Sequence, residues 1–259
     1  MALLSACGEG ESGPKICQEF HGNGALKHEV PCLNGVPEGE MKIYHANGDL
    51  RATKFFVNGL EEDTARYFYS KTGDVLKTVP MIAGKRNGQA IEYDKKGRLI
   101  ETTDYQEDLK HGAEIRYFPD SEQIQEKKEY AEGYLHGKYA AFSAAGNPVR
   151  EGEYYYDRKF GKWRMFRKDG SLLATFTYFS GQRQGGFGVF RKNGIPFLSG
   201  QYQEGKIQGE VKYFNSGGEI RRVENWFDGQ KTGSVASENP SFQADNFKIQ
   251  ILEDTVIIR

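Results

Sequence analysis

The stretch "GKWRMFRKDGSLLATFTYFSG", residues 161–181, is followed by "GGFGVFRKNGIPFLSGQYQEG", residues 185–205. Glycine, aromatic and glycine return to the same places 24 residues on, so internal repetition has to be tested before any fold is assigned. Extending the comparison both ways gives unit starts at Gly35, Gly59, Gly84, Asp108, Gly133, Asp157, Gly181, Gly205 and Gly229, in steps of 24 or 25 residues. Four residues into each unit stands a second glycine, replaced once by Asp63. Five further comes an aromatic, as at Phe142, Phe166, Phe190 and Phe214, and soon after it a third glycine, replaced once by Glu122. A late slot, three residues before the next unit, holds Phe56, Met81, Tyr105, Tyr130, Tyr154, Tyr178, Tyr202 and Trp226. A partial unit precedes these through Phe20, Gly24 and Cys32.

Each unit reads as a β-hairpin. The loop after the first aromatic is "HANG", "DKKG", "RKDG" or "RKNG", a polar turn ending in the residue best able to adopt a left-handed backbone. The flanking segments are rich in Tyr, Phe, Val, Ile and Thr, as strands are. Glycine every few residues would cost a helix about 1 kcal/mol each. The predicted fold is all-β: an elongated single-layer antiparallel β-meander of about nine 24-residue hairpin repeats. In such an array each unit is held by its neighbours.

Composition narrows the function. Thirty-five basic residues stand against 36 acidic ones, which argues against nucleic acid, because neutralising phosphates takes clustered positive charge. Glycine is abundant at 32 residues and aromatics make up 13 %, a mixture that suits tight turns between aromatic strands and not a disordered chain. No apolar run reaches the length of a membrane-spanning helix. No nucleophile-elbow, zinc-protease or phosphate-loop motif is present; "GQRQGGFG" at 181–188 has the glycines of a phosphate loop but no helix after it. His111 and His136 share one slot in adjacent units and read as turn positions, not metal ligands. The expectation is no catalytic residue, no metal, no cofactor and no small-molecule substrate.

The slot of Phe142, Phe166, Phe190 and Phe214 reads as core and cross-strand pairing. Three residues earlier lies a second slot containing Tyr139, Trp163, Phe187 and Val211, with Met165, Val189 and Tyr213 on the same parity. Alternation sends this slot to the opposite face. One alternative makes these seven residues an exposed strip for a partner; the other buries them by curvature or under the C-terminal tail.

The unit "YAEGYLHGKYAAF", Tyr130 to Phe142, resembles the MORN (membrane occupation and recognition nexus) repeat. The longer period and the "GKWRMFRKDG" wording from Gly161 to Gly170 resemble its bacterial variant. The resemblance covers about residues 16–233 and implies a curved, open-sided β-meander like that beside the catalytic domain of a histone lysine methyltransferase. No catalytic segment of that enzyme is recognisable, so its activity does not carry over. Members of the family are associated with membrane occupation, phospholipid contact and scaffolding, and many bacterial variants carry an antitoxin label.

Three segments follow: a tether at 1–15, the array at 16–233, and a linker with capping strands at 234–259. Leu4-Ser5-Ala6-Cys7 resembles a lipobox, whose cysteine would be lipidated, although the six preceding residues are short for a signal peptide. Cys17 and Cys32 fall on the two strands of the first partial hairpin. They form a disulfide if the register brings them close enough, and are otherwise two buried thiols. The expected function is a protein-binding scaffold tethered to the cell envelope as a lipoprotein. The alternatives are a cytoplasmic antitoxin or immunity protein, and a phospholipid-binding module.

Overall fold

A computed structural model describes Gly13, residues 15–236 and two short strands, Ile249–Ile251 and Val256–Ile258. Every regular element among them is a strand. The chain divides into two compact units, the first Met1–Glu122 with Tyr130–Gly133, the second Gln123–Glu129 with Tyr134–Arg259. Within each, strands pair antiparallel with their chain neighbours. In the first, Leu50–Val57 lies between Gly39–Tyr44 and Leu60–Phe68. In the second, Leu172–Phe179 lies between Arg158–Phe166 and Gln182–Phe190. The all-β meander of hairpin repeats is therefore the observed fold.

Two kinds of turn alternate. The longer loop matches its predicted chemistry: the Gly48 N–H donates to the His45 carbonyl at 2.9 Å, Gly48 sits at φ 90°, and the register slips beside it at Ile43/Tyr44. This is a type I turn closed by a left-handed bulge residue. The other turn has two residues, as at Asn58-Gly59 with φ of 48° and 79°. Positive φ at both positions matches the right-handed twist of the flanking strands. These turns are stitched to one another along each unit. The Gly59 N–H donates to Pro37 O at 3.0 Å and Gly84 to Glu61 O at 2.7 Å, while Gly181 reaches Lys159 O at 2.9 Å and Gly205 reaches Arg183 O at 3.0 Å.

The second glycine of each repeat has a role that its spacing alone does not reveal. It opens a bulge in mid-strand: Thr53 faces Arg66 and Phe55 faces Glu62, so four steps on one strand oppose two on the other. Asp63 occupies that bulge at φ 60°, which aspartate tolerates better than most residues.

The core lies on one face of the strands, and it corrects two expectations. Tyr139, Trp163, Phe187, Val189 and Val211 are buried, and Met165 and Tyr213 pack partly buried against them. The seven residues are thus not an exposed strip; they form the second unit's core together with Ala174, Phe176, Tyr178, Leu198 and Tyr202. Phe142, Phe166, Phe190 and Phe214, read as core, are half-buried beside the longer loops. Trp163, 2 % exposed, stacks on Tyr139 at 5.4 Å between ring centroids and meets Tyr154 edge-on at 5.1 Å. Phe187 packs on Tyr202 at 4.8 Å.

A single sheet buries this face because long cationic side chains roof it. Lys159 lies over Trp163 at 5.0 Å, Arg183 over Phe176 at 4.5 Å and Arg222 over Tyr213 at 4.0 Å. Their aliphatic stems cover the rings while the charged heads stay at the surface, with a cation–π attraction added. Strand glycines supply room beneath: a Cβ on Gly152 would sit 2.3 Å from the Trp163 indole, and one on Gly200 2.7 Å from Phe187. The first unit uses smaller pieces, with Ala65, Val79 and Ala90 buried under Tyr67, Met81 and Tyr105, and Arg86 over Tyr105 at 4.3 Å.

Polar groups hold the periphery. The Asp94 carboxylate accepts the N–H groups of Lys96 and Arg98 and pairs with the Arg98 guanidinium, which holds its pKa down at about 2. Asp169 sits at about 2 through hydrogen bonds from Ser171 and a 3.2 Å pair with Lys192 of the next repeat. Glu224 is buried. Burial pushes its pKa up, but hydrogen bonds from Lys231 and Tyr213 outweigh that and leave it lowered. At the start of the array the structure joins Cys17 and Cys32, with Cα atoms 5.9 Å apart. The two stand diagonally across the first strand pair, Cys17 opposite Val30 and Cys32 opposite Lys15. Ile249–Ile251 and Val256–Ile258 pair with each other, in the segment expected to hold capping strands.

Candidate functional site

If one face holds the core, the residue next to each late-slot aromatic must point the other way. The sequence places a second large apolar residue there in several units, just before the two-residue turn. In the first unit these are Leu33, Val57 and Ile82, all exposed. In the second they include Tyr155, 54 % exposed, and Phe179, 63 % exposed. Burying such side chains in a partner is worth about 1.5–3 kcal/mol each.

Around Tyr155 and Phe179 the exposed rings form a continuous cluster. Tyr134 meets Tyr156 edge-on at 5.5 Å, Tyr156 meets Tyr155 at 4.8 Å, Tyr155 meets Phe160 at 5.8 Å, and Phe160 meets Phe179 at 6.0 Å. The register fixes the side on which they lie. Phe160 stands opposite the exposed Glu153, whereas core-facing Tyr154 stands opposite Lys159. His136 fits between Tyr155 and Tyr156, 4.9 Å from each, and its Nδ1 is buried with no hydrogen-bond partner.

Tyr155, Tyr156, Phe160 and Phe179 wall an open cleft of about 380 Å³, completed by Arg158 and Ser180. The size is that of a small-ligand or side-chain pocket, roughly 300–1,000 Å³. Arg158 is its only charged lining residue. One guanidinium nitrogen donates to Ser180 Oγ at 2.8 Å, and no carboxylate pairs with it among the described residues. The cleft can take up an apolar group and offer a cation beside it.

The sequence-predicted sites are distributed differently. The seven strip residues are in the core, on the other side of the strands from this cleft. Cys7 lies outside the described residues. His111 Nδ1 stands 3.5 Å from the Glu132 N–H, and His136 belongs to the aromatic cluster. Among the described residues no three His, Cys, Asp or Glu side chains converge as metal ligands would. The signal for the exposed cluster was present as aromatic doublets, Tyr154-Tyr155, Tyr178-Phe179 and Trp226-Phe227. In a strand only one member of each doublet can face the core.

The model of the MORN repeat variant matches residues 37–58. That span is one repeat, from just before the bulge glycine Gly39 to the turn residue Asn58. No curated protein matches the chain in sequence. Among solved structures it is similar to a crystal structure of TcdB2-TccC3-Cdc42, at 11 % identity over 82 % of this chain and 14 % of that one, with a TM-score of 0.19. It is also similar to TcdB2-TccC3 without its hypervariable C-terminal region, at 10 % identity over 89 % and 12 % of the two chains, with a TM-score of 0.20. The chain thus spans less than two thirds of the length of either. The sequence match at 37–58 and the hairpin geometry of that segment agree, and the chain is a repeat protein containing the MORN repeat variant.

Proposed function

We propose that this chain is a non-catalytic scaffold that binds another protein through the exposed aromatic cleft of its second unit. The observation that carries this reading is the run of large rings, Tyr155, Tyr156, Phe160 and Phe179, left in solvent on the face that the core does not use. Tyrosine, other aromatics and arginine are the side chains that dominate binding energy at protein interfaces. The repeat array supplies the rigid backing that such a surface requires. The Leu4–Cys7 motif supports a lipid tether at Cys7 and hence a place in the cell envelope, where the Cys17–Cys32 disulfide would persist.

The test is recovery of partners from the native cell by the wild-type chain and by Phe160→Ser and Phe179→Ser. Both positions are exposed, so the variants should fold. A partner retained by wild type and lost from both supports the reading, and identical recovery by all three refutes it. Intact mass of the native product addresses the tether: a chain beginning at Cys7 with acyl groups supports it, and an unmodified chain refutes it.

A further inference from the structure

The cleft also carries information about the chemistry of its occupant. We infer that it receives a protein segment in which an apolar side chain stands next to a carboxylate, the apolar group entering between the rings and the carboxylate pairing with Arg158. This rests on the reading of the cleft as a protein-binding site and goes further by naming what it selects.

Arg158 is held at the cleft by its position directly after the two-residue turn at Tyr156-Asp157. Its stem packs on the next turn, 3.7 Å from where a Cβ on Gly181 would be. Ser180 Oγ takes one of its five N–H donors, which orients the guanidinium and leaves the rest for a ligand. The neighbouring Asp157 carboxylate is already used, since it accepts the Leu135 N–H at 2.8 Å. Lys162, farther along the same strand, lines a different cleft. Elsewhere in the chain, exposed cations are commonly matched, as in Arg164–Glu151 and Lys206–Asp228. An unmatched arginine at the edge of an aromatic cleft is complementary to an acidic ligand, and its planar fork binds carboxylate in two-point fashion. Phosphate would satisfy the same fork, but the cleft is walled by four aromatic side chains and holds a single cation.

The experiment is selection of short random peptides displayed on phage against the whole chain. Titration of the selected peptides follows, into wild type, Phe179→Ser, Arg158→Gln, Arg158→Lys and Ser180→Ala. The expected peptides carry Phe, Leu or Trp beside Asp or Glu. Their affinity should fall at least about tenfold in Arg158→Gln, the equivalent of losing a charge-assisted hydrogen bond. It should fall less in Arg158→Lys, stay close to wild type in Ser180→Ala, and be lost in Phe179→Ser. Selected peptides without acidic residues, lost in Phe179→Ser but indifferent to Arg158→Gln, overturn this inference and leave the cleft as a binding site. Peptides indifferent to Phe179→Ser, or no selection at all, overturn both. Self-association of the wild type that Phe179→Ser abolishes would make a second copy the occupant and also overturn the inference.

Discussion

A double-mutant cycle on Gly152 and Trp163 tests the core assignment at its tightest point. Gly152 faces Tyr139 on one side and the bulge of Arg158–Phe166 on the other. The indole of Trp163 lies directly over it, so a Cβ at Gly152 would stand 2.3, 2.4 and 2.6 Å from three indole carbons. Carbon pairs prefer about 3.5–4.0 Å, and the ring must retreat by about 1 Å against Tyr139 and Tyr154. Overpacking of that kind costs about 1–3 kcal/mol. Gly152 itself has no left-handed φ, so alanine there should otherwise gain about 0.4–1 kcal/mol by restricting the unfolded chain. Trp163→Ala alone should cost about 3–5 kcal/mol through the cavity it leaves. In that background Gly152→Ala keeps only its mildly stabilising effect, so the coupling equals the overpacking cost, about 1–3 kcal/mol. Urea unfolding followed by circular dichroism reads the cycle. Hydrogen exchange in Pro148–Tyr155 and Arg158–Phe166 reports the same loss locally, in case the array does not unfold as one unit. A Gly152→Ala variant as stable as wild type, or equally damaging with and without Trp163, would refute the packing described.

Three further outcomes follow from the same geometry. Asp63→Gly should stabilise the chain by about 1 kcal/mol, because Asp63 holds a left-handed bulge with no side-chain hydrogen bond in return; a lower denaturation midpoint would contradict this. Reduction, or Cys17→Ser, should remove about 3 kcal/mol from a closure spanning 15 residues, read as faster exchange confined to Lys15–Phe20 and Leu26–Leu33. The acid limb of stability is set by carboxylates with lowered pKa. Asp94 and Asp169, ordinarily near 3.8 and here about 2, contribute above their unfolded values and lose that contribution as pH falls toward 2. Glu224 follows the same sign, and Glu224→Gln should cost about 2 kcal/mol at neutral pH while flattening the acid loss, since it leaves Lys231 and Arg222 without their anion. A pH profile of unfolding for both chains decides it.

What could be read from the residues, and what could not, divides along a physical line. Turn chemistry is local, so "HANG" and "RKDG" announced their type I turns with a left-handed glycine, and the glycine period announced the array. The choice of core face is not local. Alternation correctly separated Trp163 from the Phe166 ladder, but alternation has no sign, and both slots are aromatic. The sign was carried by glycines inside strands, Gly152 two residues before Tyr154 and Gly200 two before Tyr202. Each removes a side chain so that Trp163 or Phe187 can lie flat on the sheet. It was carried also by basic residues two places after several of the unit starts, Arg86, Lys110, Lys159 and Arg183, which look like surface charge in a sequence but lie across aromatic rings in the fold. Once that roof is recognised, the aromatic face ceases to be the natural docking surface, because its rings are already covered. Several rings remain in solvent, Phe20, Phe55 and Phe227 among them, but Tyr155, Tyr156, Phe160 and Phe179 are the ones that together wall a cleft, and it is that clustering, not the abundance of aromatics, that carries the proposed binding site.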